Sequence, residues 1–237
     1  MQRRRVIQLL AGAATSLLAS HTLPGSILRA SQDNPLLPLF PLDLVLFPHT
    51  DLPLHIFEER YKEMIKDCLE NRWEFGMLLV EDQSVKDIGC TASITEVLAT
   101  YPDGRMDIMV RGQRRFELGS VNEEKSYLRG APTILDDDTT ESSSELRKRA
   151  IELYELLKEI AVRDNKTLQQ PYPTATDTQL SYRMMAGLPG DLTWKQNLLE
   201  LRSERDRLIQ VVPYMEKFIE YLENTPEQNP ATPKGIA

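Results

Sequence analysis

Hydrophobic and polar positions along the chain follow two periods, and the change from one to the other falls near residue 136. Before that point, short apolar blocks and alternating positions predict strands over 36–40, 44–47, 52–56, 75–80, 90–101, 105–110, 115–121 and 127–135. Within 52–56, Leu52, Leu54 and Ile56 occupy every second position and so share one buried face. The turn Pro102-Asp103-Gly104 predicts a hairpin, because Pro presets φ and Gly accepts a positive φ.

One helix interrupts these strands, over about residues 58–71. Its apolar residues recur at helical spacing and predict a buried stripe of Tyr61, Met64, Ile65, Cys68 and Leu69. The opposite side carries the charged residues Glu59, Lys62, Glu63, Lys66 and Glu70. Many short strands with one helix predict a small barrel or pseudo-barrel in this half.

The second half is predicted to be helical. After Ser144 one apolar stripe runs through Leu146, Ala150, Leu153, Leu157, Ile160 and Ala161. A Pro-rich loop over 168–178 follows, then helices over 180–186, from about 193, and over 208–222 with Pro213 inside the last. The fold class predicted from these patterns is α+β, with a β-rich half followed by a helical bundle.

Five segments follow from these patterns. They are a leader over 1–33, a β-rich subdomain over 34–135, an acidic linker over 136–144, a helical subdomain over 145–223 and a polar tail over 224–237 that is predicted to be disordered. Asp136, Asp137 and Asp138 open the linker and are expected to be exposed, with ordinary pKa values.

The first residues of the leader resemble an export signal. Three arginines at 3–5 precede an apolar run over 9–19 that is too short for a comfortable membrane span. This order resembles a twin-arginine signal and predicts an exported, periplasmic protein, although no Ser or Thr precedes the arginines and no clean cleavage site follows. The alternatives are a disordered tail and a cytoplasmic protein.

Composition narrows the classes of function. The 237 residues carry a formal net charge of -8, which opposes nucleic-acid binding because phosphate neutralisation needs clustered basic residues. Arg111, Arg114 and Arg115 are a local exception, interpreted as solubilising residues on a strand face that pair with nearby acids. Two cysteines, Cys68 and Cys90, cannot form a disulfide framework. A single bridge between them is the alternative to the buried free thiols that their apolar contexts favour.

No catalytic or metal-binding motif is present in the sequence. It lacks a P-loop, G-x-G-x-x-G, H-E-x-x-H, C-x-x-C, G-x-S-x-G and S-x-x-K. His49 and His55 lack the spacing of zinc ligands and are interpreted as packing or surface histidines. We therefore expect no catalytic residues, no metal and no cofactor.

One stretch resembles a known family. Three segments resemble the opening of the Lon protease N-terminal domain, especially its stand-alone bacterial versions. They are Leu37-Pro38-Leu39-Phe40-Pro41-Leu42, Phe47-Pro48 and Leu52-Pro53-Leu54-His55-Ile56-Phe57-Glu58-Glu59-Arg60-Tyr61. The likeness continues through Gly112-Gln113-Arg114-Arg115-Phe116 into the helical half, as far as Leu222. His49 and Glu59 depart from the pattern, where family members commonly have Gly and Pro.

The resemblance implies a PUA-like pseudo-barrel, a helical bundle and a role in recognising polypeptides. It relates the chain to the S16 peptidase family by kinship, without the ATPase and Ser–Lys peptidase domains. The predicted substrate-binding residues are Glu59, Arg60 and Glu63. They lie at the start of the first helix and point away from its buried stripe.

Three hypotheses of function follow. The first is a non-catalytic module that binds unfolded or extended polypeptides as an adaptor, substrate trap or chaperone-like factor, with a protease as a further partner. The second is an uncharacterised enzyme with a nonstandard site. The third is a PUA-like RNA binder, suggested by fold analogy alone.

Overall fold

The computed structural model describes residues 36–138, 144–164, 168, 172–174 and 176–224. The predicted leader, residues 139–143 of the predicted linker and nearly all of the predicted tail lie outside these residues. The described residues fall within one compact unit, Asn34–Ala237. Its strands are β1 (Leu37–Leu42), β2 (Asp51–Ile56), β3 (Phe75–Glu81), β4 (Ser84–Val85), β5 (Ile88–Thr100), β6 (Met106–Asn122) and β7 (Arg129–Leu135). Its helices are α1 (Glu59–Asn71), α2 (Ser144–Arg163), α3 (Leu180–Ala186), α4 (Leu192–Glu200) and α5 (Glu204–Asn224).

Five strands close into a ring in the order β1, β7, β6, β5, β3. Every pairing in the ring is antiparallel except that of β1 with β3, which is parallel and closes it. The α+β fold class predicted from the sequence is thus confirmed, with a barrel-like sheet followed by helices.

The longest strand, β6, changes partner along its length. Its first residues pair with β2, and its residues from Arg115 onward pair with β7, while β5 lines its other edge. Gly112 lies at the change: its N–H donates to Thr50 O and its C=O accepts from His49 N–H. A Cβ at this position would lie 2.1 Å from Phe47 O, so only glycine allows the approach.

Three of the predicted strands are wrong in detail. Residues 44–47 form no strand, because Phe47 leaves the sheet and stacks on Tyr182 in the helical core, with ring centroids 5.1 Å apart. The strands predicted over 105–110 and 115–121 are parts of the single strand β6. The α1 stripe is buried as predicted except for Leu69, which is exposed.

The acidic stretch also departs from expectation, since Asp137 is mostly buried. Its carboxylate accepts from Arg115 Nη2 and Arg207 Nη2, both at 2.6 Å. Burial raises the pKa of Asp137, but the hydrogen bond from Arg207 and the charges of both arginines outweigh it, so the pKa is lowered. Arg115 is itself buried, so the interpretation of it as a solubilising residue is wrong.

Candidate functional site

The end of β2, the start of α1 and the β5–β6 turn meet at one exposed surface. The odd-numbered positions of β2 point away from the core, and the same parity continues past the strand to Phe57, which is 60% exposed. Directly after Phe57 the chain enters α1, whose stripe packs under β2 in the same core cluster. We call this the hairpin–helix surface, and it comprises His55, Phe57, Glu59, Arg60, Glu63 and Tyr101.

Aromatic rings form its apolar part. The ring of His55 lies between Phe57 and Tyr101, with centroids 6.1 Å from each, stacked on the first and edge-on to the second. The guanidinium of Arg105 lies 5.1 Å from the centroid of the Tyr101 ring. Rings held in this way present apolar area with little side-chain entropy left to lose on binding.

Asp107 on β6 fixes two of these rings, those of His55 and Tyr101, through its carboxylate. Asp107 accepts from Tyr101 OH at 2.7 Å, and its other oxygen lies 2.5 Å from His55 Nδ1. The hydrogen bond to Tyr101, together with the contact to His55, lowers the pKa of Asp107. The same hydrogen bond raises the pKa of Tyr101, so the hydroxyl stays a donor at neutral pH.

Lys62 joins α1 to the hairpin turn. Its ammonium donates to Glu59 Oε1 at 2.8 Å and to Asp103 O at 2.9 Å. The side chain of Lys62 is only 15% exposed, because it runs under the turn beside Gly104. The turn and the first turn of the helix are therefore held as one piece, as a preorganised binding surface requires.

The three residues predicted to bind substrate are exposed at the start of α1, and each has a partner within the chain. Glu59 pairs with Lys62, and Arg60 pairs with Glu58 while its guanidinium covers the Tyr61 ring at 4.6 Å. Glu63 accepts a hydrogen bond from Ser126 at 2.6 Å. Glu59 keeps 89% of its side chain exposed, against 52% for Arg60, so its carboxylate is readily available to a partner.

Sequence analysis missed the aromatic part of this surface. Phe57 and Tyr101 were absent from the predicted site, and His55 was interpreted only as a packing or surface residue. The signal for Phe57 was present in the chain, because it continues the outward parity of β2. Nothing in the sequence places Tyr101 beside His55, since their contact depends on the pairing of β2 with β6.

The chemistry of this surface favours binding. Among the described residues, His55 contacts Asp107 and the rings of Phe57 and Tyr101, and no serine, threonine or cysteine lies against its imidazole to act as a nucleophile. Cys68 and Cys90 are free and buried, and burial raises the pKa of each thiol. Within the described ranges, no three His, Cys, Asp or Glu side chains are grouped to hold a metal ion.

The cationic cluster on β6 is neutralised within the fold. Arg111 forms a two-pronged ion pair with Asp51, and Arg114 pairs with Glu74 at 3.1 Å. Arg115 is buried against Asp137. These arginines are therefore committed to internal partners, which weakens the one local feature that favoured RNA.

Comparisons with known proteins agree on one family. The family model described as the ATP-dependent protease La (LON) substrate-binding domain matches residues 36–217. A Lon protease of Cytophaga hutchinsonii is 24% identical over 203 residues, and one of Amoebophilus asiaticus is 28% identical over 193. The matches cover 79% and 74% of this chain and only 25% and 23% of those proteins.

Two solved structures have the same fold. The Lon N-terminal domain protein from Xanthomonas campestris has a TM-score of 0.61 at 24% identity, covering 76% of this chain and 99% of that one. The N-terminal domain of the Mycobacterium avium complex Lon protease has a TM-score of 0.56 at 16% identity, covering 77% of this chain and 98% of that one. In the part of the chain that the structure describes, no helix is long and apolar enough to cross a membrane.

Proposed function

Because the chain belongs to the family of the ATP-dependent protease La (LON) substrate-binding domain, we propose that it is a non-catalytic module that binds unfolded or extended polypeptides. The observation that carries the proposal is the exposed Phe57 on the hairpin–helix surface, whose ring stacks on that of His55. An aromatic side chain held at such a place supplies the buried anchor around which protein interfaces concentrate their binding energy.

The direct test is capture of a permanently unfolded protein. Reduced and carboxamidomethylated lysozyme serves as the probe, and its binding to the full chain is measured by fluorescence anisotropy. Phe57→Ala is expected to weaken binding by about 2 kcal/mol, or about 30-fold in Kd, because it removes an anchor. Val162→Ala is the matched control, since Val162 on α2 is 72% exposed and lies outside the hairpin–helix surface. Equal affinities of the two variants would contradict the proposed site.

The charged half of the surface needs a variant of its own. Glu59, Arg60 and Glu63 are replaced together by Ala, and capture is compared with the thermal midpoint. We expect weaker capture with a small change in Tm, because all three side chains are exposed and surface ion pairs contribute little to stability. Unchanged capture with an unchanged melt would remove these residues from the binding surface.

The proposal includes the absence of catalysis. Purified chain is expected to hydrolyse neither ATP nor casein, because the sequence has no P-loop lysine for the nucleotide and no Ser–Lys motif for the peptide bond. ATP-dependent proteolysis by homogeneous protein would overturn this part.

Adaptor, substrate trap and chaperone-like roles differ in the fate of the bound polypeptide. With a partner protease present, an adaptor speeds degradation of the probe and a trap slows it. A chaperone-like factor raises the yield of a refolding client without any protease. Measuring the degradation rate and the refolding yield with wild-type chain and Phe57→Ala separates the roles.

We also propose that residues 1–33 direct export to the periplasm. The support is the run of arginines directly before an apolar stretch. Replacing Arg3, Arg4 and Arg5 by Lys should retain an epitope-tagged chain in the cytosol. If the unmodified chain already fractionates wholly with the cytosol, the export proposal fails.

A further inference from the structure

The strand β2 has one edge in the sheet and one edge outside it. Among the strands that the structure describes, β2 pairs only with β6. Pro53 and His55 are exposed along it. A free strand edge presents backbone donors and acceptors at the spacing of an extended chain.

Two hydrogen bonds fix which groups of β2 point outward. Gly112 N–H donates to Thr50 O, so the backbone N–H and C=O of Gly112 point toward β2. Tyr101 N–H donates to Arg105 O, so the backbone groups of Arg105 point toward β5. Because the backbone groups of successive residues point to alternate edges of a strand, those of Asp107 point toward β5, as those of Arg105 do.

His55 lies directly opposite Asp107 in the pairing of β2 with β6. Because the backbone groups of Asp107 point to β5, this is a pair without hydrogen bonds between the two strands. The N–H and C=O of His55 point away from β6, and so does the C=O of Pro53. Proline fits this parity, because its missing N–H would otherwise break a rung of the ladder. The outer edge of β2 therefore presents backbone groups that make no hydrogen bond within the sheet, and this edge leads to Phe57 on the hairpin–helix surface.

We propose that the outer edge of β2 binds a polypeptide segment as an added strand. This rests on the proposed function and specifies its mode, in which main-chain hydrogen bonds hold the segment and Phe57 receives a side chain. Such a site accepts segments of varied sequence, as long as they are extended and carry free backbone N–H groups.

The occupant is a segment of another polypeptide, and a second copy of β2 fits less well. In an antiparallel pair of β2 edges centred on Pro53, the two prolines would face each other and the central rung would lack both donors. A foreign segment supplies an N–H to the Pro53 C=O. Proline at this position thus disfavours self-pairing while leaving an acceptor for a partner.

The test compares two substitutions at one residue, with reduced and carboxamidomethylated lysozyme as the probe. His55→Ala removes the imidazole and keeps the outward N–H. His55→Pro removes the outward N–H and breaks no bond to β6, so the fold is expected to survive. We expect His55→Pro to bind the probe at least about tenfold more weakly than His55→Ala, because a paired donor and the strand's approach are both lost.

The complementary variant adds a donor. Pro53→Ala supplies the missing N–H on the outer edge and should tighten probe binding by about two- to tenfold. Amide hydrogen exchange gives a readout that needs no variant. In the full wild-type chain, the His55 amide should exchange freely and should become protected when the probe is added.

The outcomes separate the two proposals. If wild-type chain captures no probe, the proposed function fails. If it captures the probe while His55→Pro matches His55→Ala and the His55 amide stays unprotected, the added strand is wrong and the proposed function stands. A concentration-dependent dimer that His55→Pro abolishes, measured by sedimentation, would instead assign the edge to a second copy and overturn this proposal.

Discussion

At the scale of single residues, the two thiols illustrate how burial controls chemistry. Desolvation raises the pKa of Cys68 to about 12 and that of Cys90 further, so neither forms a thiolate near neutral pH. Both are expected to stay unreactive toward a chromogenic disulfide reagent in the native chain and to titrate fully in denaturant. Val162→Cys is the matched control and should react at once in the native state, because position 162 is exposed. Rapid labelling of the wild-type chain would contradict the burial of both thiols.

A second residue-scale prediction concerns Gly112. The Phe47 carbonyl occupies the space of its missing side chain, so Gly112→Ala forces the backbone apart where β6 changes partner. We expect a loss of about 2–3 kcal/mol, or a fall in Tm of about 6–10 °C. At Gly190 a Cβ would come closest to the flexible end of Lys195, 3.2 Å from Cε, with Trp194 and Tyr214 at ordinary contact distance, so Gly190→Ala should change the calorimetric Tm far less. Similar losses in the two variants would contradict this account.

At the scale of elements, periodicity predicted the strands and helices whose pattern is local, and it failed where tertiary contacts determine the conformation. The strand β2 and the helix α1 follow their own alternation and stripe, so the sequence located both within one or two residues. The apolar residues 44–47 resemble a strand, but Phe47 is drawn into the helical core. The aromatic part of the hairpin–helix surface depends on strand register, which no single segment encodes.

The start of α4 gives an element-scale prediction. Asp191 is its N-cap and accepts from Trp194 N–H at 3.0 Å. Asp191→Ala leaves that donor without its acceptor and should cost about 1 kcal/mol, or about 2–4 °C in Tm. Asp191→Asn retains a capping oxygen and should melt close to the wild type in the same calorimetric scan. An equal loss in both variants would show that charge at this position matters more than the cap.

At the scale of the whole molecule, one carboxylate joins the sheet to the helices. Asp137 follows β7 and binds Arg115 from β6 with one oxygen and Arg207 from α5 with the other. Arg207 also donates to Glu204 and lies over the Tyr182 ring at 4.2 Å, while Arg115 reaches Leu199 O. A stretch that composition marks as a polar linker therefore contains one of the contacts that tie the two halves together.

Removing this carboxylate should destabilise the chain in a pH-dependent way. Asp137→Ala leaves two buried guanidinium groups short of a partner and should cost roughly 3 kcal/mol at pH 7. Because the folded-state pKa of Asp137 is lowered, its contribution is present above the unfolded pKa of about 3.8 and is lost as the pH falls through the folded value. The difference between wild type and variant in the free energy of unfolding, measured in urea, should thus be constant from pH 7 to about 5 and shrink below about 4.

Asp138→Ala is the control, because Asp138 pairs with the exposed Arg202 at 3.3 Å and its loss should cost less than about 0.5 kcal/mol. Equal losses for the two variants, or a difference that persists unchanged into acid, would contradict the role of Asp137.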